Sequence, residues 1–135
     1  MNFWKYTKHF KNDVIKGASN TDPLLCSLMD KIREHFNAPV IIHRVHDSKA
    51  HQNSQHSKKE CNACDFHINT RMPLLNQWIE LQRFNFSALG VYPFWKHPGF
   101  HIDLRNKIGD LKAFWLRDRE GEYHALNKQT LRMVK

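Results

Sequence analysis

Two short β-patterned runs set a titratable side chain at alternate positions of otherwise apolar segments: Ala63-Cys-Asp-Phe-His-Ile68 and Phe100-His-Ile-Asp-Leu104. Successive side chains of a strand point to opposite faces, so Asp65 and His67 share a face with Ala63 while Cys64, Phe66 and Ile68 take the other. By the same alternation His101 and Asp103 oppose Phe100, Ile102 and Leu104. Each strand is therefore anchored in a core by its apolar side and offers imidazole and carboxylate to a cleft on the other.

The remaining segments surround these strands with a mixture of helix and sheet. Asp22 is a natural N-cap and Pro23 a first helical residue, after which Leu24, Leu28, Ile32 and Phe36 recur at helical spacing with Leu25 and Met29 beside them. Asn37-Ala38-Pro39 stops that helix, and Val40-Ile41-Ile42-His43-Arg44-Val45 reads as a strand. Asp47 to Asn62 is polar and long for a loop inside a domain, which marks it as functional or mobile. A second helix is expected from Met72 to Arg83, and a strand over Ala88-Leu-Gly-Val-Tyr92, with Pro93 to Gly99 as the loop leading to the His101 strand. Ala113 to Arg117 and Glu122 to Leu126 flank a turn at Asp118-Arg-Glu-Gly121 and form a hairpin. The expected class is α+β, a small, mainly antiparallel sheet with helices packed on it.

With 135 residues, 41 % of them hydrophobic, the chain can bury a core as one domain spanning 1–135. No apolar run approaches the roughly 20 residues of a membrane span. The N-terminus has no apolar stretch followed by a small-residue cleavage site, so synthesis in the cytoplasm is expected. Lys and Arg outnumber Asp and Glu by 21 to 13, a formal +8. Anionic partners follow, and nucleic acid, lipid headgroups and cell-wall polymers all satisfy that balance. Lys5, Lys8, Lys11, Lys58 and Lys59 read as solvated surface. The cysteines number 3, an odd count that disfavours a disulfide framework, and Cys26 reads as a core thiol.

Histidine and carboxylate concentrate in Ser54-Gln-His56, Asp65-Phe-His67 and His101-Ile-Asp103. Two adjacent strands offering a carboxylate and an imidazole, with a further imidazole from the preceding loop, supply three corners of a tetrahedron around zinc. The fourth corner stays open for water, as in catalytic zinc sites. A rival set is His56, Cys61, Cys64 and His67, whose spacing suits a structural zinc knuckle and, with the basic charge, a nucleic-acid-binding module. Strand alternation opposes it by sending Cys64 and His67 to opposite faces. Trp4, Trp78 and Trp115 read as core or interface aromatics, whereas Trp95 fits either the core or a cleft wall.

Ser54-Gln-His56 followed by Cys61-Asn-Ala63-Cys-Asp65 resembles the Ser-x-His…Gly-x-Ala-x-Asp signature of the zinc D-Ala-D-Ala peptidases, whose fold is shared with the hedgehog signalling domain. Gly90-Val-Tyr92-Pro93 and Gly99-Phe-His101-Ile-Asp103-Leu-Arg105 are similar to that family's Tyr-Pro…Phe-Val-His-Val-Asp-x-Arg segment, and the likeness covers about residues 20–117. It implies a zinc metallopeptidase of peptidoglycan stem peptides with His56, Asp65 and His101 as metal ligands. It also implies action at the bacterial cell wall, in the periplasm or delivered by a phage. The chain departs from the pattern at Cys61, which replaces the motif glycine, and in a wider His56 to Asp65 spacing. At Pro98 many members carry an acidic base, so His97 and Asp103 are the expected substitutes. Arg44 is the counterpart of the family's arginine for an oxyanion or a substrate carboxylate.

Overall fold

The computed structural model describes residues 1–45, 47, 50, 53–58, 60–105 and 112–134. Helix α1 spans Pro23–Phe36, entered through Asp22, whose side chain accepts from the Leu24 N–H, and closed by Asn37 in the left-handed region at φ 46°. Its buried stripe is Leu25, Cys26, Leu28, Met29 and Ile32, while Leu24 is exposed. The expected stripe through Leu24 and Phe36 is thus rotated. At about 100° per residue each four-residue step drifts by about 40°, so positions 24 and 36 cannot both stay on the face that Leu28 and Ile32 bury.

The strands are β1 (Val40–Arg44), β2 (Ala63–Ile68), β3 (Ala88–Tyr92), β4 (Gly99–Asp103), β5 (Ala113–Arg117) and β6 (Tyr123–Ala125). Helix α2, Leu74–Leu81, follows Pro73 and is shorter than the predicted run from Met72 to Arg83. Among its described residues the loop before β2 contains a 3-10 turn, Gln55–Ser57. All six strands form one sheet in the order β1-β2-β4-β3-β5-β6, antiparallel except where β3 meets β5. The class is α+β with a mostly antiparallel sheet.

Register places the candidate site residues. On the core face Cys64 pairs with Ile102 and Ile102 with Leu89. These join Phe66, Phe100, Val91 and Leu116 in one cluster with Leu25, Met29 and Ile32 of α1 and Leu74 and Leu81 of α2. On the opposite face one row crosses the sheet: Arg44 beside Asp65, Asp65 beside His101, His101 beside Gly90, and Gly90 beside Trp115. A bulge between Ile42 and Arg44 brings Arg44 into that row. Gly90 is required there, because a Cβ would overlap the Trp115 indole that lies across it.

The N-terminal segment docks on α1. Trp4 is buried, its Nε1 donates to Thr21 Oγ1 at 3.1 Å and its ring meets Phe10 edge-on. The Asp30 carboxylate accepts from the Lys8 and His9 backbone N–H groups. Cys61 N donates to Asn20 O at 2.6 Å and Asp22 N to Cys61 O at 2.8 Å, which straps the entry of β2 to the start of α1.

Candidate metal centre

His56 is fixed from both sides of its short turn. Ser54 caps the turn by accepting from the His56 N–H, Ser57 Oγ donates to Ser54 O, and the Asp47 N–H donates to His56 O. The buried imidazole places Nδ1 2.7 Å from the Val45 carbonyl. A carbonyl only accepts, so Nδ1 carries the proton and Nε2 presents its lone pair. His101 is held in the reverse sense, with Nε2 2.8 Å from Asp103 Oδ2, so that Nε2 is protonated and Nδ1 is bare.

The two bare nitrogens meet Asp65. Asp65 Oδ1 lies 2.8 Å from His101 Nδ1 and 3.2 Å from His56 Nε2, and the nitrogens are 3.3 Å apart. Three electron-pair donors therefore converge in a buried site, an arrangement that requires a cation or an extra proton among them. The donor set, two imidazoles and a carboxylate, suits a divalent metal of the zinc type. Among the described residues this is the group whose ligand atoms can hold an ion.

Electrostatics agree with that geometry. Burial favours the neutral Asp65 carboxyl, but the His101 and His56 imidazoles, with the extra proton held between them and the carboxylate, outweigh it and hold the group well below the usual carboxylate range. Burial works against a charged His101, yet the Asp103 and Asp65 carboxylates more than offset it and raise the imidazole's pKa. Burial also opposes the charge on Asp103, and the Arg105 guanidinium followed by His101 prevails and lowers its pKa.

The expected proton acceptors end in different places. Asp103 is fully buried, and its oxygens take His101 Nε2–H together with Arg105 Nε and Nη2 at 2.8 and 2.5 Å. Strand alternation put it on the His101 face correctly, but it sits behind the imidazole as its orienting partner and not in an open cleft. His97 is exposed, stacks on His67 at 4.8 Å, and shares a cavity of about 280 Å³ with His43, Asp65 and Trp95. Trp95 accordingly belongs to a cleft wall, stacked on Tyr92 at 4.3 Å. Arg44 lies beside the group, Nε donating to Asp65 Oδ2 at 3.1 Å.

A second cavity, about 400 Å³, opens over His56 and His101 and is walled in part by Arg44, Arg105, Tyr92 and Trp115. Trp115, expected in a core or interface, is partly exposed in this wall, its Nε1 donating to the Tyr92 hydroxyl at 3.1 Å. Burial pushes the Tyr92 phenol up, so it remains a hydrogen-bond donor at neutral pH. Sequence reasoning assigned no role to Arg105 or Trp115. The Asp-x-Arg spacing was a signal for the first, whereas nothing local marks the parallel pairing that lays Trp115 over Gly90.

The cysteine set does not assemble. Cys61 Sγ donates to Ala63 O at 3.2 Å, Cys64 is buried on the core face, and His67 lies on the other face. All three cysteines are free thiols. Burial pushes Cys26 up to about 12 and Cys61 up to about 11, and it raises Cys64 as well, so none is a ready thiolate. Cys26 is the core thiol expected. Of the surface lysines, Lys8 pairs with Glu34, Lys5, Lys11 and Lys58 are exposed, and Lys59 lies outside the described residues. Among the described residues no helix is long and apolar enough to cross a membrane. Comparison with protein-family models, with curated proteins and with solved structures gave no match to this chain.

Proposed function

We propose that the chain is a zinc-dependent metallopeptidase that hydrolyses amide bonds in peptidoglycan stem peptides, with His56, Asp65 and His101 as the metal ligands. The observation that carries this reading is the convergence of two bare imidazole nitrogens and a carboxylate oxygen, each tautomer fixed from behind, beside a cavity of about 400 Å³. A bound zinc supplies a water of pKa near ~7 and polarises a carbonyl. The protein's own groups do the rest. Asp103 keeps His101 in the ligating tautomer, and Arg44 and Tyr92 offer donors to an oxygen that gains charge during hydrolysis. With Asp103 engaged behind His101, proton acceptance falls to His97, which shares a cavity with Asp65.

The resemblance of the Ser-Gln-His…Ala-Cys-Asp and His-Ile-Asp segments to the zinc D-Ala-D-Ala peptidases supports both the reaction and a fold of the hedgehog type. The formal +8 charge suits a polyanionic wall. The reading places the protein's work at the bacterial cell wall, reached by export or by phage delivery. Metal content and hydrolysis of purified peptidoglycan, measured on the wild type and His101→Ala in parallel, test it. One zinc per chain and opened wall peptides, both lost in the variant, are expected. A variant that keeps its zinc, or a zinc-loaded wild type that leaves the wall intact, refutes it.

A further inference from the structure

Three histidines outside the His56 group gather on the Asp65 face of the sheet. In β1, Ile42 pairs with Phe66 and Arg44 with Asp65, which leaves His43 between them as the extra residue of the bulge. A bulge re-aims the side chain it carries. His43 thereby joins Arg44 on the outer face and meets His67 of β2, while Arg44 meets Asp65. His97 reaches the same place from the loop before β4 and stacks on His67.

His43 Nε2 lies 2.6 Å from His67 Nδ1, too close for face-to-face contact, so the two rings meet nitrogen to nitrogen with their centres 4.8 Å apart. One N–H is shared between two lone pairs that point at each other. On a tetrahedral zinc two imidazole nitrogens are about 3.3 Å apart, so an ion takes the place of that proton by parting the pair less than about 1 Å. His97 is exposed, and the soft ring torsion of histidine lets it turn a third nitrogen toward the pair. The His56 group has its donor atoms already gathered, whereas this one is completed by that turn. Asp65 lines the same cavity as His43 and His97 and favours a cation there. The neighbouring cations oppose it little, since Arg44 is tied to Asp65 and Asp47, and Lys96 is exposed and screened.

We infer that His43, His67 and His97 form a second metal site, separate from the His56 group, for a divalent ion of the zinc type that prefers imidazole ligands. Its rings are exposed or half-buried and one of them must turn, so it holds the ion less tightly than the buried group and fills only above one zinc per chain. Occupancy takes the lone pair of His97, the proton acceptor of the proposed reaction, and so stops hydrolysis. That inhibition rests on the peptidase reading, while binding of the ion rests on the three rings alone.

Equilibrium dialysis of the full chain against zinc, with hydrolysis of purified peptidoglycan followed at the same free-zinc concentrations, tests the inference. A second zinc with a Kd below about 100 μM is expected in the wild type, and hydrolysis falls as it binds. His43→Gln and His67→Gln each weaken that second zinc by about 10-fold or more, because even the supporting partner of a ligand is worth that much. His43→Gln keeps the first zinc, which reports that it folds, and its hydrolysis resists excess metal. His124→Gln, a control at a histidine paired with Asp118 in the β5–β6 hairpin, keeps both ions. Zinc uptake that His43→Gln leaves unchanged up to about 1 mM free metal overturns the site and assigns any second ion to adventitious surface histidines. Uptake lost in His43→Gln with no hydrolysis at any zinc concentration overturns the peptidase reading and leaves the site standing. A second zinc bound through His43 while hydrolysis stays at full rate overturns the inhibition.

Discussion

Asp103→Asn preserves the shape of a buried side chain and removes the charge on which three side-chain donors converge. The carboxylate takes His101 Nε2–H at 2.8 Å, Arg105 Nε at 2.8 Å and Arg105 Nη2 at 2.5 Å, with the Arg105 backbone N–H at 3.1 Å. Asparagine offers one acceptor oxygen and one NH2. With its oxygen kept on Arg105, the amide nitrogen faces His101 Nε2 and can be met only by a lone pair there, which moves the imidazole proton to Nδ1, the proposed ligating atom. Loss of such a supporting partner lowers metal affinity about 10–100-fold, or about 1.4–2.7 kcal/mol. Breaking a fully buried pair costs about 3–5 kcal/mol. The Arg105 side chain is 38 % exposed and regains water, which places the loss for the metal-free protein nearer about 2–3 kcal/mol. At about 3–4 °C per kcal/mol for a chain of this size, Tm falls by about 6–12 °C. Competition for zinc against a chromogenic chelator gives the affinity, and melting followed by circular dichroism gives the stability. A zinc affinity within about threefold of wild type would refute the tautomer argument, whatever the melting curve shows.

Other perturbations probe separate parts of the argument. Gly90→Ala drives a methyl into the Trp115 indole and costs about 1–3 kcal/mol. An unchanged urea midpoint would show that the indole is not confined between Tyr92 and Arg105. Cys64→Ala leaves zinc stoichiometry unchanged and destabilises by about 1 kcal/mol, since the thiol is a small buried group; loss of the metal would revive the cysteine knuckle. The pH dependence follows from two opposite shifts. His101, raised when folded, stabilises the metal-free protein fully below about pH 6.5 and ceases to as pH climbs through its folded pKa. Asp65, depressed when folded, stabilises above about pH 3.9 and ceases to as pH falls through its folded pKa. The metal-free protein is therefore most stable in mildly acid solution, and zinc, which displaces the His101 proton, stabilises increasingly as pH rises. Urea midpoints with and without zinc check this, and a metal-free protein that gains stability from about pH 6 to 8 contradicts it.

The elements that sequence reasoning located well are those whose signals lie within a few residues. The Asp22-Pro23 start and the Asn37-Ala38-Pro39 stop bound α1 because a cap, a fixed φ and a left-handed residue act on their immediate neighbours. The face assigned to Cys64, Phe66, Phe100 and Ile102 is the one that joins the hydrophobic core, since alternation is a property of the single strand. Where the expectation depended on which of several helix faces meets the sheet, Leu24 was placed inside and lies outside. The helical period defines the candidate faces, and only the partner surface selects among them.

The candidate site divides along the same line. That His56, Asp65 and His101 belong together was legible from motif order, and the face shared by His101 and Asp103 from their spacing. What Asp103 does there was not legible, because its burial and its bond to Arg105 depend on how the chain leaves β4 and on what covers that end of the sheet. The strand order is likewise a product of long-range pairing. It sets Asp65 and His101, 36 positions apart, side by side, and lays Trp115 across Gly90 through the parallel pairing of β3 with β5. By itself the sequence determined which residues are candidates for a metal site and which side of each strand they occupy, because those follow from motif order and local periodicity. The tertiary structure alone decided which lone pairs face one another, which carboxylate is buried behind an imidazole, and which arginines wall the cavity, because those depend on register between segments that no local pattern connects.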